Sequence, residues 1–158
     1  TELVQAFNES GVDVIAVADP TSSPELLDPN DFSEFAQPAL EDLSAEMETE
    51  SILHICGNSR PILEEMLDCG FSGISVEEAV DMTEAQQVRA ETGAETVMVG
   101  NVSTSQTLFS KPVEEVKAEV TQALEKGVNV LAPSCGIAPK SPLANLKAFV
   151  EARDEFYQ

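Results

Sequence analysis

The residues of this sequence best suited to binding a metal ion are a lone histidine and two cysteines. The chain of 158 residues contains one histidine, His54, and Cys56 follows it two positions later in the segment LHICGNSR. Alternate residues of a strand project to the same side with their Cα atoms roughly 6.6 Å apart, so an imidazole and a thiolate at this spacing can converge on one ion. Cys135, in the segment PSCG, also directly follows an apolar segment. The sequence therefore predicts that these three side chains share a metal site.

Zinc is the metal that this ligand set favours. One imidazole and two thiolates suit zinc better than magnesium or calcium, which prefer oxygen ligands. Three protein ligands leave the fourth position open, which is typical of a catalytic zinc site. The simpler interpretation of an H-x-C pair alone is a core histidine with unreactive cysteines, but the shared position after strands and the glycine beside each cysteine favour the metal. Cys69, at the end of a predicted helix, is assigned to the core as a small hydrophobic residue.

Five short apolar segments must position these ligands, and amphipathic segments separate them. We predict strands at residues 12–19, 51–56, 72–77, 95–100 and 128–133. We predict helices at residues 30–47, 60–69, 82–93, 111–127 and 141–156. This alternation is typical of right-handed βαβ units, and strands that are apolar on both faces indicate a parallel sheet covered by helices. The predicted fold class is therefore α/β, with the reactive residues at the carboxyl ends of the strands, where such folds carry out their chemistry.

The charge of the chain is strongly acidic, with 29 acidic residues against 8 basic ones and a formal net charge of −21. Nucleic acid is excluded as a partner, because binding it requires a basic stripe that replaces counterions. The acidic residues are spread along the helices, which indicates a solvated surface suited to a salty cytoplasm. An acidic docking face for a partner is the alternative.

The cysteines and the apolar segments indicate a cytoplasmic protein. Three scattered cysteines cannot all pair, so we expect reduced thiols rather than a disulfide framework. No apolar segment approaches the roughly 20 residues that are needed to cross a bilayer. The first segment, TELVQAFNES, also lacks the features of a secretion signal.

Three segments carry a resemblance to a known family: LHICGNSRPILEEMLDCGFSGISVEE, VGNVSTSQTLFSKPVEEVKAEV and VLAPSCGIAPKSPLANLKAFVEA. Together they resemble the methylcobamide:coenzyme M methyltransferases, which are enzymes of methanogenic archaea in the uroporphyrinogen decarboxylase superfamily. The earlier segment GVDVIAVADPTSSPELLDPNDFSEFAQPAL also resembles this family, so the resemblance covers nearly the whole chain. The family binds catalytic zinc through an H-x-C pair and the cysteine of PSCG, a triad not known from the decarboxylase branch. The resemblance thus implies the zinc ligands His54, Cys56 and Cys135.

The resemblance also implies the architecture of a TIM-type (βα)8 barrel, which typically takes about 250 residues. Residues 1–158 would form a single α/β domain that supplies the C-terminal part of the barrel, namely its fourth to eighth strands, with the N-terminal half absent. An isolated partial barrel has two unpaired strand edges. We expect it to curl, to form a homo-oligomer or to cover these edges with its own helices.

The activity implied by the resemblance is zinc-dependent transfer of a methyl group from a methylated corrinoid protein to the thiol of coenzyme M, 2-mercaptoethanesulfonate. Zinc would lower the pKa of this thiol while the two protein thiolates keep its sulfur nucleophilic. Glu77 or Glu78 could supply a fourth ligand that the substrate thiol displaces, and we favour Glu78. Alternatively, the two glutamates only begin a solvated loop.

Four further residues are candidates for substrate binding. Arg60 and Lys140 follow the metal-binding segments and could bind the sulfonate, as could the N–H groups of a helix N-terminus. Both cations could equally be surface residues. Asp19 and Asn101 follow the first and fourth strands and could line the mouth that faces the corrinoid, or they could cap loops.

Other functions remain open at this point. One alternative is a uroporphyrinogen decarboxylase-like enzyme or a corrinoid methyltransferase with another acceptor, and stoichiometric zinc with one substrate sulfur in its shell would contradict it. A second alternative is a non-catalytic half-barrel that docks a corrinoid protein. This module would show no zinc dependence and no thiol alkylation.

Overall fold

Five parallel strands form one sheet in the computed structural model, which describes residues 2–158. The strands are β1 (Val14–Ala18), β2 (Glu50–His54), β3 (Gly73–Ser75), β4 (Val97–Val102) and β5 (Val130–Pro133). Each strand pairs with the one that follows it in the chain, in the order β1-β2-β3-β4-β5. This sequential parallel order is the order of strands in a (βα)8 barrel. The predicted α/β fold class is confirmed.

Helical segments connect successive strands. The α-helices are α1 (Glu2–Ser10), α2 (Pro29–Asp31), α3 (Gln37–Ala45), α4 (Leu63–Asp68), α5 (Met82–Thr92), α6 (Val113–Glu125) and α7 (Leu143–Phe156). Shorter turns are 3-10 helical at Pro20–Ser22 and Arg60–Ile62, and π-helical at Phe32–Ala36 and Thr104–Phe109. The helix predicted at residues 30–47 consists of α2, a π-helical turn and α3. Within residues 2–158, no helix has the length and apolar character needed to cross a membrane.

One face of the sheet packs against the helices. Leu53, Ile74 and Met98 lie on three neighbouring strands, and each has an exposed fraction of 0%. The helices cover them with residues that are also buried: Leu63, Met66, Val88, Val116 and Val120. Because successive side chains of a strand point to opposite faces, the residues after Leu53 and Ile74 face away from this core. These residues are His54 and Ser75.

The register of the strands aligns their carboxyl ends. His54 is level with Ala18 on β1 and with Ser75 on β3. At the other side of the sheet, Pro133 on β5 is level with Val102 on β4. The segments that follow β2, β3 and β5 therefore begin at one edge of the sheet, which brings together residues that are distant in sequence.

The two outer strands have open edges within the described part of the chain. Among residues 2–158, β1 pairs with β2 alone and β5 pairs with β4 alone. Val14 on β1 and Val130 on β5 are 48% and 45% exposed. The sheet thus has the same strand order as a barrel segment, with a free backbone edge on each side.

Replacing Asp81 by alanine is expected to lower the free energy of unfolding by about 1 kcal/mol, the usual loss for an N-cap. Its carboxylate accepts hydrogen bonds from the backbone N–H groups of Thr83 (2.9 Å) and Glu84 (3.2 Å) at the start of α5. It also forms an ion pair with Lys126 Nζ at 2.7 Å. Asp81→Asn retains a capping oxygen and loses the exposed ion pair, so we expect a smaller loss of about 0.5 kcal/mol. Urea unfolding of both variants tests this order.

The stabilisation by Asp81 should depend on pH. The hydrogen bond from Lys126, and then those from the helix N-terminus, lower the pKa of Asp81 from its ordinary value of 3.8. A group with a lowered folded-state pKa stabilises the protein above its unfolded-state pKa, and this contribution is lost as the pH falls through the folded-state value. The difference between wild type and Asp81→Ala should therefore be constant near neutrality and shrink below pH 3.8. A difference that grows on acidification would contradict this assignment.

Candidate metal centre

Four side chains from three strand ends converge at the carboxyl edge of the sheet. His54, Cys56, Glu77 and Cys135 each offer one ligand atom, and these four atoms lie within 4.8 Å of one another. His54 is the last residue of β2, whereas Cys56, Glu77 and Cys135 lie two residues beyond β2, β3 and β5. The predicted convergence of His54, Cys56 and Cys135 therefore corresponds to the arrangement of the structure.

The distances within this cluster fit a tetrahedral zinc ion. His54 Nε2 lies 3.4 Å from Cys56 Sγ, and the sulfur atoms of Cys56 and Cys135 are 4.0 Å apart. In a tetrahedral site with Zn–S bonds of about 2.3 Å and Zn–N bonds of about 2.0 Å, the ligand atoms are about 3.6 Å (N···S) and about 3.8 Å (S···S) apart. These two pairs of donors are thus already spaced close to the values around one ion, and the set N, S, S, O is one that zinc accepts.

A hydroxyl group orients the imidazole of His54. Ser75 Oγ lies 3.1 Å from His54 Nδ1, because the two residues are level on neighbouring strands. When Nε2 binds a metal, the neutral ring carries its proton on Nδ1 and donates it to this hydroxyl. Such outer partners fix the tautomer and the ring orientation of a ligating histidine. Sequence reasoning did not single out Ser75, although its signal was present: it is a polar residue inside the strand that the sequence predicts at residues 72–77.

Replacing Ser75 by alanine should weaken zinc binding about 10-fold, the lower end of the usual effect of losing an outer partner of a metal ligand. The matched control is Ser72→Ala. Ser72 lies just before the other end of β3, where its Oγ accepts a hydrogen bond from Ser51 N at 3.2 Å. Competition with a zinc chelator measures both affinities. Equal losses in the two variants would contradict a specific contact with His54.

The electrostatics of the cluster favour a bound cation. Burial, followed by the nearby Cys135 and Glu77, raises the pKa of the Cys56 thiol from 9.0 to about 11. Two thiolates and a carboxylate this close repel one another unless a positive charge lies between them. Cys69 differs, because it is fully buried in the core, where burial raises the pKa of its thiol to about 12. Its sulfur donates a hydrogen bond to Glu65 O at 3.1 Å, away from the cluster.

The carboxylate that joins the cluster is Glu77, whereas the sequence analysis favoured Glu78. Glu78 turns the other way and accepts a hydrogen bond from Ser103 Oγ at 2.5 Å. Strand β3 ends at Ser75, and the chain then turns, with Val80 N donating to Glu77 O at 3.0 Å. In such a turn adjacent side chains do not follow the alternation of a strand, so the sequence pattern could not distinguish the two glutamates.

A cavity of about 330 Å³ adjoins the cluster. Besides His54, Cys56 and Cys135, it is lined by small or apolar residues: Ala18, Pro20, Ser75, Pro133, Ser134 and Gly136. Neither of the two predicted sulfonate-binding cations is among these residues. Arg60 Nε forms an ion pair with Glu84 at 2.6 Å, and Lys140 is exposed in the loop before α7.

Asp19 and Asn101 fix loops at the same edge of the sheet. Asp19 accepts hydrogen bonds from Thr21 Oγ1 (2.6 Å) and Ser22 Oγ (2.5 Å), and caps the turn Pro20–Ser22. Partial burial acts to raise the pKa of Asp19, but these hydrogen bonds outweigh it and hold the pKa below its ordinary value. Asn101 Nδ2 donates to Glu77 O (3.2 Å) and Val80 O (2.8 Å). Asn101 thus anchors the turn that carries Glu77, although it is not in the cluster itself.

Comparison with known proteins identifies the family. The sequence model of the family described as uroporphyrinogen decarboxylase (URO-D) matches residues 1–156. The chain is 49% identical over 153 residues to the methylcobamide:CoM methyltransferase MtaA of Methanosarcina barkeri, an alignment that covers 96% of this chain and 44% of that protein. It is 28% identical over 152 residues to a uroporphyrinogen decarboxylase of Christiangramia forsetii, with 94% and 42% covered.

A solved structure shares the fold. The chain is similar to a methyltransferase from Methanosarcina mazei, with a TM-score of 0.92 and 48% sequence identity over 98% of this chain and 45% of that one. The chain thus spans less than half the length of the proteins that it matches. Because the family model extends over all but the last two residues, the chain belongs to the uroporphyrinogen decarboxylase family.

Proposed function

We propose that the protein containing this chain is a methyltransferase that moves a methyl group from a methylated corrinoid to the thiol of coenzyme M. The main observation that supports this proposal is a cluster of four side chains whose ligand atoms lie within 4.8 Å of one another: His54, Cys56, Glu77 and Cys135. A catalytic zinc site has three such protein ligands and a fourth position that can exchange. Similarity to a protein named as a methylcobamide:CoM methyltransferase, at 49% identity, supports the choice of substrates.

The chain's own residues have distinct roles in this proposal. His54, Cys56 and Cys135 hold the metal, and Glu77 completes its shell before substrate binds. One neutral imidazole and two thiolates balance the charge of a divalent ion, so the site would not bind an incoming thiolate too tightly. A bound zinc would lower the pKa of the substrate thiol so that it ionises near neutral pH.

The surroundings of the cluster suit a small thiol and a methyl donor. Ala18, Pro20 and Pro133 line the cavity beside the cluster and offer few groups that compete for the metal or hold water. Lys140, exposed in the loop that follows Cys135, is our candidate for binding the sulfonate. Arg60 is the second candidate, but it would have to leave its ion pair with Glu84. Asp19 and Asn101 would shape the mouth by fixing its loops.

We further infer that the five strands are the C-terminal part of a closed (βα)8 barrel. The sequential parallel order of the strands and the two open edges support this, as does the length of the relatives. A second copy of the chain is the alternative partner for the open edges. The free thiols of Cys56, Cys69 and Cys135 support a reducing cytoplasmic location.

The proposal is tested by metal analysis and X-ray absorption of the whole protein with and without coenzyme M. We expect one zinc per chain with two sulfur ligands in the free protein and three when coenzyme M is bound. An ion that keeps two sulfurs with coenzyme M present would favour another acceptor. A whole protein that binds no metal would contradict the proposal and favour the docking module.

A further inference from the structure

Glu78 lies among three strand ends beside the metal cluster. Its Oε1 accepts a hydrogen bond from Ser103 Oγ at 2.5 Å. Partial burial acts to raise the pKa of this carboxyl, but Ser103 and the nearby side chain of Ser134 together lower it. Ser103 directly follows β4 and Ser134 directly follows β5. Glu78 itself lies in the turn after β3. The carboxylate therefore joins the turn that carries Glu77 to the segment after β4, which in turn contacts the segment that carries Cys135 through Thr104 N and Ser134 Oγ.

Each of the two serine hydroxyls accepts a hydrogen bond from a backbone N–H group. Ser103 Oγ accepts a hydrogen bond from Gln106 N at 3.1 Å, and Ser134 Oγ accepts one from Thr104 N at 3.3 Å. A hydroxyl has a single proton to donate, and Ser103 directs its proton to Glu78. The serines are only 5% and 1% exposed, so no solvent replaces the carboxylate as an acceptor. Loss of Glu78 would leave the buried hydroxyl of Ser103 without its acceptor.

Ser134 connects the Glu78–Ser103 contact to the cluster, because its hydroxyl accepts the hydrogen bond from Thr104, the residue after Ser103. It directly precedes Cys135, and its backbone N donates to Val102 O at 2.8 Å. With both its backbone and its side chain held, Ser134 fixes where the chain leaves β5. On the other side of the carboxylate, Glu78 directly follows Glu77, whose carbonyl oxygen is held by Asn101. Glu78 thus lies between the turn that carries Glu77 and the contacts that reach the segment of Cys135.

We propose that Glu78 is a positioning residue, which binds no metal and holds Glu77 and Cys135 at the separation that the metal requires. This inference rests on the proposed metal site. It assigns to Glu78 the role of an outer clamp that holds Ser103 directly and acts through the adjacent Thr104 on Ser134. Because an ionised carboxylate forms stronger hydrogen bonds with hydroxyl groups than a neutral acceptor does, glutamine should replace it in part and alanine should not.

The first experiment measures zinc affinity in the whole protein by chelator competition. Glu78→Ala should bind zinc about 10-fold more weakly, in the range usual for outer partners of metal ligands, and Glu78→Gln should regain part of that loss. The bound ion should keep the wild-type ligand set in X-ray absorption. Glu95→Ala is the matched control, because Glu95 is an exposed glutamate just before the opposite end of β4. It should bind zinc as the wild type does.

A double-mutant cycle separates positioning from a general loss of stability. If the clamp acts through Ser134, Glu78→Ala should weaken zinc binding much less in a Ser134→Ala background, because the contact is already gone. Additive effects would overturn the proposal. Equal affinity of wild type and Glu78→Ala would also overturn it, as would the loss of an oxygen from the zinc shell in Glu78→Ala, since that loss would make Glu78 a ligand.

A measurement on metal-free protein tests the role of Glu78 independently of whether the protein binds zinc. In metal-free protein, diamide takes two electrons and two protons from the thiols of Cys56 and Cys135, which forms the S–S bond and leaves the reduced hydrazine. The rate of this cross-link reports how well Cys135 is held near Cys56. We expect Glu78→Ala to lower it several-fold and Glu95→Ala to leave it unchanged. If the wild type bound no zinc, the proposed function would fail, and this rate would still decide the role of Glu78.

Discussion

Replacing Cys135 by alanine should remove zinc from the whole protein and lower methyl transfer to coenzyme M by about 1,000-fold or more. A metal that acts as a Lewis acid contributes several kcal/mol to catalysis, and each 1.36 kcal/mol corresponds to a factor of ten in rate. Cys135 is the one ligand contributed by the region of β5, and its sulfur lies 4.0 Å from that of Cys56. Without it the site keeps a single thiolate. Zinc content and the rate of thiol alkylation measure the two effects.

The matched control is Cys69→Ala, which removes the one cysteine outside the cluster. Cys69 is fully buried in the core, so its loss should cost about 1 kcal/mol of stability through the small cavity. Zinc content and activity should stay at the wild-type level. If Cys69→Ala lost its metal to the same extent as Cys135→Ala, the effect would reflect unfolding rather than coordination.

Removing the metal should expose the cluster to oxidation, with complete loss of zinc uptake as the result. The sulfur atoms of Cys56 and Cys135 are 4.0 Å apart, and rotation about the Cα–Cβ bonds could bring them to the roughly 2.05 Å of a disulfide. After chelation and treatment with diamide, we expect one intramolecular cross-link between the peptides of these two cysteines. Peptide mass spectrometry identifies it, and reduction with a dithiol should restore zinc binding.

Zinc-loaded protein is the control for this second prediction. A bound ion would hold both sulfurs as ligands and keep them from reacting with each other. The loaded protein should therefore resist the same diamide treatment. Equal cross-linking with and without metal would contradict a shared metal site. A cross-link that involves Cys69 would show that the oxidised protein had partly unfolded, since Cys69 is buried.

The sequence predicted the strands, and the proximity of His54 and Cys56, because both depend on local pattern. The H-x-C spacing places His54 and Cys56 together whatever the rest of the fold does. Strand β2 ends at His54 rather than at residue 56, yet Cys56 still reaches the cluster. Cys135 could be assigned to the same site from the sequence because parallel strands align their carboxyl ends. The observed register of β4 and β5 confirms that alignment.

The features that the sequence did not predict depend on turns and on contacts between distant elements. Which of Glu77 and Glu78 joins the cluster depends on the backbone angles after β3. Two identical adjacent residues give no sequence signal that distinguishes them. Arg60 forms an ion pair with Glu84, 24 positions away, so its spacing from Cys56 carried no information on this contact. The turn Thr104–Phe109 was missed because the segment TSQTLF lacks the apolar periodicity of an amphipathic helix.

The open edges of β1 and β5 have a consequence for which part of a closed barrel would carry the proposed metal site. All four candidate donors lie at the end of β2 or just after β2, β3 and β5, so they fall within 82 consecutive positions, from residue 54 to residue 135. Any strands that close the barrel need add no donor. Under the proposed function, substitutions on that side could change the methyl carrier or the acceptor without altering the residues proposed to bind the metal.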